Sequence, residues 1–249
     1  MLGRVINSEP SLTRDFLAGR QRGNFSMDDL DALEQAMDDP VALADGHCHV
    51  ARGEALHAAT ILLEGYVLAT IHRDGRRFVV GVYVPGDFFD LHGFALPRLD
   101  HDLVAAGPVR VAQVSHDRLR ELTEARPELA RALWFSTLLD AAIHRQWIRN
   151  LEALDAPQRI AHLFAELHAR LTMTGHGMGR TLRTPFTQTD LADMCGVSAI
   201  HANRAVARLR ELGLGEIRRG ALYTDRWDDL RAYAGFDPGY LYGEGQPSR

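Results

Sequence analysis

Apolar residues change their spacing along this chain, from helical to strand-like and back to helical. Leu30, Leu33 and Met37 recur at helical intervals, and Ser26 with Asp29 fits the capping box that begins a helix. The sequence therefore predicts a short N-terminal helix ahead of the first strand.

The stretch that follows has the pattern of short strands. Apolar runs at 67–71 and 78–84 flank Asp74-Gly75, which is a strong hairpin signal. Further apolar runs follow at 103–105 and 109–114. Several short strands with turns at regular intervals predict a sandwich or a jelly-roll barrel.

Helical spacing returns after residue 116. A short helix is predicted over 117–125, and Pro127 can begin a long helix that continues to about residue 154. Its apolar stripe is wide, so we expect one side to pack on the barrel and another to pair with a second copy of the chain. The residues assigned to that pairing are Trp134, Leu138, Ala141 and Ile148. An ordinary surface helix with one buried face is the alternative.

Residues 186–210 have the pattern of two helices joined by a tight turn. Thr187 with Asp190 fits a second capping box, Gly196 can supply a turn with positive φ, and Ser198 can cap the second helix. The inner side of that helix would be Ala202, Ala205, Val206 and Leu209. This spacing predicts a helix-turn-helix whose second helix enters the major groove of DNA. An ordinary helical hairpin is the alternative.

A short β-hairpin is predicted next, over 213–224, with its turn at Arg219-Gly220. A hairpin in this place favours a winged helix-turn-helix, in which basic residues at the tip contact phosphates. The residues expected to contact DNA are Gln188, Ser198, Ala199, Ile200, His201, Asn203, Arg204, Arg208, Arg218 and Arg219.

The formal net charge of −5 by itself argues against a nucleic-acid partner, but the charge is unevenly distributed. Residues 176–222 hold seven arginines and four acidic residues, so this segment carries a net charge of +3 on an otherwise acidic chain. Because phosphates are neutralised locally, a basic segment on an acidic body is compatible with binding to double-stranded DNA.

Composition also limits the cofactors and the compartment. The chain has only two cysteines, which excludes a four-cysteine iron–sulfur cluster within one chain and favours the reducing cytoplasm. It has no apolar run of about 18 residues and no long apolar segment at its start, so we expect neither a membrane span nor secretion. The sequence assigns no cofactor.

The order of these parts resembles that of the Crp/Fnr family of bacterial transcription regulators. The matching segments are Leu-Leu-Glu-Gly-Tyr-Val at 62–67, Pro-Gly-Asp-Phe-Phe at 85–89 and the helix-turn-helix. The resemblance implies an α+β fold with a cyclic-nucleotide-binding-like β jelly-roll barrel, a long dimerisation helix and a C-terminal winged helix-turn-helix. The expected boundaries are 1–25 for an N-terminal arm, 26–126 for the barrel, 127–154 for the long helix and 155–249 for the DNA-binding domain.

The resemblance also implies how such a protein works. A homodimer would place two recognition helices about 34 Å apart, in successive major grooves of a palindromic site. An effector in the barrel would shift the dimer between weakly and strongly binding arrangements. RNA polymerase is a further partner that the resemblance implies.

The barrel departs from the members that bind cyclic nucleotides. They carry Gly-Glu where this chain has Asp90 and Leu91, and Arg followed by Ser or Thr where it has Leu99 and Asp100, with Arg98 one position away. A phosphate would then meet an aspartate instead of a cation, so cyclic AMP is not expected to bind. The residues expected to line the effector pocket are Phe88, Asp90, Leu91, Arg98, Leu99 and Asp100.

The second helix of the helix-turn-helix departs as well. Family members often carry Glu at the position of Ile200, where it accepts a hydrogen bond from cytosine, whereas Arg204 matches an arginine that donates to guanine. The resemblance therefore implies a variant of the family's usual half-site.

Two histidines leave other functions open. His47 and His49 would share one face of a strand, so they are the candidates for binding a metal or the iron of haem, and two exposed histidines without a ligand are the alternative. A cupin-like metalloenzyme is the catalytic alternative, because Glu54 follows this pair. No later matching histidine and no nucleophile motif is apparent, so we expect no enzyme activity. A scaffold that does not bind DNA is the remaining alternative.

Four expectations concern burial and order. Cys195 is expected to be a small buried residue and not a redox switch. Phe88 and Phe89 are expected to fill the barrel, and His162 and His168 to be solvated on a helix. Residues 1–25 are expected to form a flexible arm.

Overall fold

The computed structural model describes residues 10–96, 98–177 and 179–244. Within them the α-helices are α1 Met27–Ala36, α2 His116–Ala125, α3 Pro127–Ala153, α4 Ala156–Met173, α5 Gln188–Cys195, α6 Ala199–Glu211 and α7 Trp227–Tyr233. The strands are β1 Val41–Leu43, β2 Cys48–Val50, β3 Ala58–Arg73, β4 Arg76–Tyr83, β5 Asp102–Ser115, β6 Thr181–Leu182, β7 Glu216–Arg218 and β8 Ala221–Tyr223. None of the described helices is long and apolar enough to span a membrane.

The N-terminal half is an antiparallel sheet in the order β1-β5-β3-β4, with β2 also paired to β5. The hairpin predicted at Asp74-Gly75 is confirmed, since both residues have positive φ between β3 and β4. The runs expected as separate strands at 103–105 and 109–114 are one strand, β5. Strand β3 begins nine residues before the predicted run at 67–71.

The sequence pattern predicts only part of the length of β3, because both faces of this strand are buried and the polar–apolar alternation of a half-exposed strand is absent. Ala59 and Ile61 pack under α1 to α3, whereas Val67 and Ala69 point into the barrel. The pairing with β5 is irregular around Gly65, where the strand changes the face that it turns inward. A Cβ at Gly65 would lie 2.4 Å from the carbonyl oxygen of Pro108, so only glycine fits there.

Residues 10–25 are packed, and the expectation of a flexible arm over 1–25 is wrong for this part; residues 1–9 lie outside the described residues. Phe16 is fully buried and meets Phe88 edge-on, with ring centroids 5.5 Å apart. The Nε of Arg20 donates to the carbonyl of Leu241 over 3.0 Å. This segment therefore joins the barrel to the C-terminal end of the described chain. Phe88 thus packs outside the barrel, and only Phe89 of the predicted pair belongs to the barrel core.

Helix α3 runs from Pro127 to Ala153, as the sequence predicts. One side packs on α2 and on the C-terminal segment, through residues such as Leu129 and Leu139. The other side leaves Trp134, Leu138 and Ile148 exposed, at 66%, 51% and 68% of their surface. Ala141, the fourth residue expected at a dimer contact, is half-buried and turned toward the barrel.

The C-terminal helices pack directly on the flank of the barrel, where residues such as Tyr66 and Leu68 form one core with α4, α5 and α6. His162 and His168 lie inside α4 and are buried, so the expectation that they are solvated is wrong. His162 stacks near Tyr240, and His168 stacks on Trp227 with ring centroids 3.7 Å apart. Burial lowers the pKa of each imidazole to about 4, which keeps both rings neutral.

Candidate nucleic-acid interface

The first helix of the helix-turn-helix, α5, begins as the sequence predicts. The backbone N–H of Asp190 donates to Thr187 Oγ1 over 3.1 Å, and the carboxylate of Asp190 accepts from the backbone N–H of Thr187 over 2.7 Å. Gly196 ends the helix with φ of +63°, a left-handed conformation that favours glycine. Cys195 is buried as expected, and burial raises the pKa of its thiol to about 12, so it stays protonated.

The second helix, α6, has one buried and one exposed side. Ser198 caps it, accepting from the backbone N–H of His201 over 3.3 Å. The inner residues Ala202, Ala205 and Leu209 are buried, and Val206 is half-buried. The outward residues are all exposed: Ala199, Ile200, His201, Asn203, Arg204 and Arg208.

The exposed side of α6 offers free hydrogen-bond donors. Arg204 has no hydrogen-bond or ion-pair partner within the part of the chain that the structure describes. Arg208 lies 3.3 Å from Glu211 in an exposed pair, which is worth little in water. Both guanidinium groups can therefore turn to a ligand at small cost.

The wing is a hairpin of β7 and β8 with Arg219 and Gly220 at its turn, both at positive φ. A third, two-residue strand, β6, pairs with β8 and extends the hairpin to a three-stranded sheet. Arg218 and Arg219 are exposed near the tip, and Arg218 pairs with Glu216 over 2.6 Å. Gln188 is exposed at the start of α5. The residues expected at DNA thus lie at the surface of α5, α6 and the wing.

Two acidic residues of α5 are held by the barrel. Arg77 of β4 forms ion pairs with Asp190 and with Asp193, the latter over 2.8 Å. The hydroxyl of Tyr66 donates to the carbonyl of Arg183 over 2.9 Å. Because the one positive charge of Arg77 offsets one of these two negative charges, the pair of carboxylates opposes a DNA phosphate less than two free carboxylates would. No local pattern in the sequence pointed to Arg77, since its partners lie more than 110 residues away along the chain.

Arg159 ties the long helix to the helix-turn-helix. Its guanidinium donates to the carbonyls of Leu151 and Leu154 at the end of α3, and to the carbonyl of Cys195 at the end of α5 over 3.1 Å. Helix C-termini carry unpaired carbonyls and partial negative charge, so one cation here stabilises two helix ends. A Cβ at Gly196 would lie 3.0 Å from Leu151, which shows how closely α3 approaches the turn.

A buried ionic network fastens α4 to the barrel. Arg170 is 2% exposed and donates to the carboxylate of Asp87, to Glu166 and to the carbonyl of Val82. Glu166 also accepts from the indole N–H of Trp147 over 3.1 Å and from a tyrosine hydroxyl of the C-terminal segment. Burial raises the pKa of Glu166, and the cation and the donors oppose that shift. Removing one partner of such a buried network typically costs about 3–5 kcal/mol.

A cavity of about 350 Å³ lies between the barrel and α3. Three of its polar side chains come from separate segments, which is why the sequence did not group them: His92 from a short 3-10 helix, His101 from the residues just before β5, and His144 from α3. Asp100 and Asp140 also line it. Burial, followed by the neighbouring His101, lowers the pKa of His92 to about 4, and burial raises the pKa of Asp140. The cavity is therefore lined by several polar groups from different parts of the chain.

Three of the six residues expected in the effector pocket line this cavity: Phe88, Leu91 and Asp100. The other three do not line it. Asp90 is fully buried and accepts from the backbone N–H of Thr60, Leu99 belongs to the barrel core, and Arg98 is exposed in a bridge to Ala55.

His47 and His49 differ in their surroundings. His47 is exposed, whereas His49 is half-buried, with its Nε2 3.1 Å from the hydroxyl of Thr60. Across the described residues, no group of three His, Cys, Asp or Glu side chains is placed to hold a metal ion.

Two family models match the two main parts of the chain. Residues 40–126 match the model of the cyclic nucleotide-binding domain, and residues 158–233 match that of the Crp-like helix-turn-helix domain. Together the two matches cover the barrel and the DNA-binding unit described above.

Two relatives and one solved structure are similar to this chain over most of its length. The chain is 22% identical to the transcriptional activator protein FnrA of Stutzerimonas stutzeri, over 78% of this chain and 79% of that protein. It is 26% identical to the nitrogen fixation regulation protein FixK of Bradyrhizobium diazoefficiens, over 65% of this chain and 67% of that protein. The structure of FixK2 from Bradyrhizobium japonicum superimposes with a TM-score of 0.71 at 19% identity, over 78% of this chain and 96% of that one.

Proposed function

Because this chain belongs to the Crp/Fnr family of DNA-binding transcription regulators, which are not enzymes, we propose that it binds DNA as a homodimer under the control of an effector other than cyclic AMP. A cytoplasmic location and contact with RNA polymerase are parts of the same proposal, and they rest on the family alone.

The observation that carries this proposal is the exposed side of α6. Its first two turns present Ser198, His201, Asn203 and Arg204 to solvent, with the guanidinium of Arg204 unpaired within the described residues. In a helix-turn-helix these turns contact base edges, while the wing and the start of the first helix contact phosphates. In this proposal Arg204 donates to guanine, and Arg218 and Arg219 neutralise phosphates of the backbone.

A homodimer is supported by α3. Trp134, Leu138 and Ile148 lie on one side of this 27-residue helix and are all more than half exposed. Residues at these intervals form a stripe along an α-helix, and a second copy of the same stripe would cover it. Two-fold symmetry then requires two recognition helices and a site of two inverted half-sites, about 34 Å apart.

The effector is proposed to bind in the cavity between the barrel and α3. Asp100 and Asp140 line it, and its described lining residues include no arginine or lysine. A phosphate there would lose water without gaining a cation, so a ligand without a negative charge is favoured over a cyclic nucleotide.

Helix α3 can transmit the effector's presence. Its residues Asp140 and His144 line the cavity, and Leu151 in its last turn lies close to Gly196 of the helix-turn-helix. Arg159 of α4 also joins the two, by hydrogen bonds to the carbonyls of Leu151 and Cys195. A ligand that binds better in one position of α3 than in another shifts the dimer toward the arrangement that it prefers.

A sensor that holds haem, whose iron takes only axial ligands from the protein, is a second candidate, and one observation favours it. His101 Nδ1 lies 2.8 Å from the carboxylate of Asp100, while His101 Nε2 is buried beside the cavity without a hydrogen-bond partner among the described residues. A carboxylate that fixes one ring nitrogen leaves the other as a lone-pair donor to a metal. An absorption spectrum and metal analysis of the purified protein test this candidate, and a colourless, metal-free protein that binds its operator contradicts it.

The experiment for the proposed function is selection of binding sites from a random duplex pool by the full chain, followed by titration of the selected duplex. We expect an inverted repeat, with affinity that falls steeply as salt rises. Titration calorimetry with cyclic AMP should show no micromolar binding. Recovery of no common sequence would contradict the DNA-binding part, and micromolar binding of cyclic AMP would contradict the effector part.

A further inference from the structure

The recognition helix presents one large apolar side chain among small, polar and basic ones. Ile200 is the second residue of α6 and keeps 65% of its surface exposed. Its exposed neighbours on this surface are Ala199, His201, Asn203 and Arg204. The side chain therefore lies in the part of the helix that faces base edges in a helix-turn-helix.

This exposure has no role in the fold of the described chain. Ile200 belongs to none of the buried clusters, whereas Ala202 and Ala205 form the inner side of the same helix. It also lies on a different helix from the exposed residues of α3 that we assign to the dimer contact. Removing this side chain from water is favourable, so a ligand that covers it would form a more stable complex.

The chemistry of the major groove limits what can cover an isoleucine. Most groups on the base edges there are hydrogen-bond donors or acceptors, and the one apolar group is the C5-methyl of thymine. An isoleucine pressed on an amino or carbonyl group would remove water from it without replacing the hydrogen bond. Contact with a thymine methyl removes water from two apolar surfaces instead.

We propose that Ile200 packs against the C5-methyl group of a thymine in each half-site and so selects a T·A pair at that position. The inference rests on the proposed function, because it requires α6 to enter the major groove. Arg204, one turn later on the same side of α6, would donate to a base close to this thymine, so the two residues together read adjoining parts of the half-site.

Deoxyuridine tests the contact, because it differs from thymidine only by this methyl group. Each thymine of the selected operator is replaced in turn, and affinity for the full chain is measured by fluorescence anisotropy at fixed salt. At one position per half-site we expect about fourfold weaker binding, the value of burying one methyl-sized group, and about fifteenfold weaker binding when both half-sites are changed.

The variant Ile200→Ala shows whether this loss belongs to Ile200. It should bind the thymine and deoxyuridine operators equally, whereas Ile200→Val should keep most of the difference. Arg204→Ala is the matched control: it should bind more weakly but keep the full difference between the two operators. Since Ile200 is mostly exposed and alanine favours helices, the alanine variant should fold, which its circular dichroism checks.

The outcomes separate the inference from the proposed function. Sequence-selective binding with no thymine whose methyl effect depends on Ile200 overturns the inference alone. A chain that prefers no sequence at all overturns the proposed function and the inference with it.

Discussion

The change Ile148→Glu on α3 should separate the proposed homodimer into monomers. Ile148 exposes 68% of its surface in the single chain, and full burial of an isoleucine side chain is worth about 1.5–3 kcal/mol. Covering two-thirds of that side chain in each of two protomers therefore contributes about 2–4 kcal/mol. Its loss raises the dimer dissociation constant by about 30- to 700-fold, and two buried carboxylates raise it further.

Sedimentation velocity over a concentration series measures this constant. Val41→Glu is the matched control, because Val41 is a 50% exposed aliphatic residue on the edge strand β1, away from α3. We expect the wild type and the control to sediment as dimers and Ile148→Glu as a monomer. A wild type that is monomeric throughout, or an Ile148→Glu variant that stays dimeric, would refute the assignment of α3.

Three further changes test the site and the buried groups. Arg204→Ala should cost about 1–3 kcal/mol of operator binding and relax one base position, as measured by anisotropy on operator variants; unchanged binding would rule out the proposed groove geometry. Arg159→Ala should lower the unfolding free energy by about 1.5–3 kcal/mol, because three helix-end carbonyls lose a charged donor. An unchanged urea midpoint would contradict this role. Burial raises the pKa of Asp90 to about 7, so between about pH 4 and 7 the folded protein holds a proton that the unfolded chain has released. Asp90 should make stability fall by up to about 1.4 kcal/mol per pH unit as pH rises through this window, and Asp90→Asn should remove this contribution from the measured slope; equal slopes in both proteins would contradict the shift.

Much of the fold could be predicted because its signals are local. Capping boxes at Ser26 and Thr187 each lie within four residues of the helix that they begin, and the structure forms both. The turn at Asp74-Gly75 and the start of α3 at Pro127 are equally local. Such signals place an element without any knowledge of what it packs against.

The remaining features depend on contacts that the sequence does not show. Strand β3 escaped full prediction because the barrel covers one face and α4 or α1 the other. The burial of His162 and His168 does not follow from the local sequence, because it is the C-terminal segment and α7 that cover them. The cavity residues and Arg159 come together only when elements far apart in the chain meet. The sequence therefore predicted the helix-turn-helix better than it predicted the cavity.

Binding of the selected operator as a function of salt is the most direct test of the central claim that α6 and the wing bind DNA. If Arg208, Arg218 and Arg219 of each protomer contact phosphates, the dimer neutralises about six charges, and log K should fall against log salt with a slope of about −5. Replacing Arg218 and Arg219 together by alanine should reduce that slope to about −2. Affinity that is indifferent to salt and equal for a scrambled duplex would contradict the assignment of this surface to DNA.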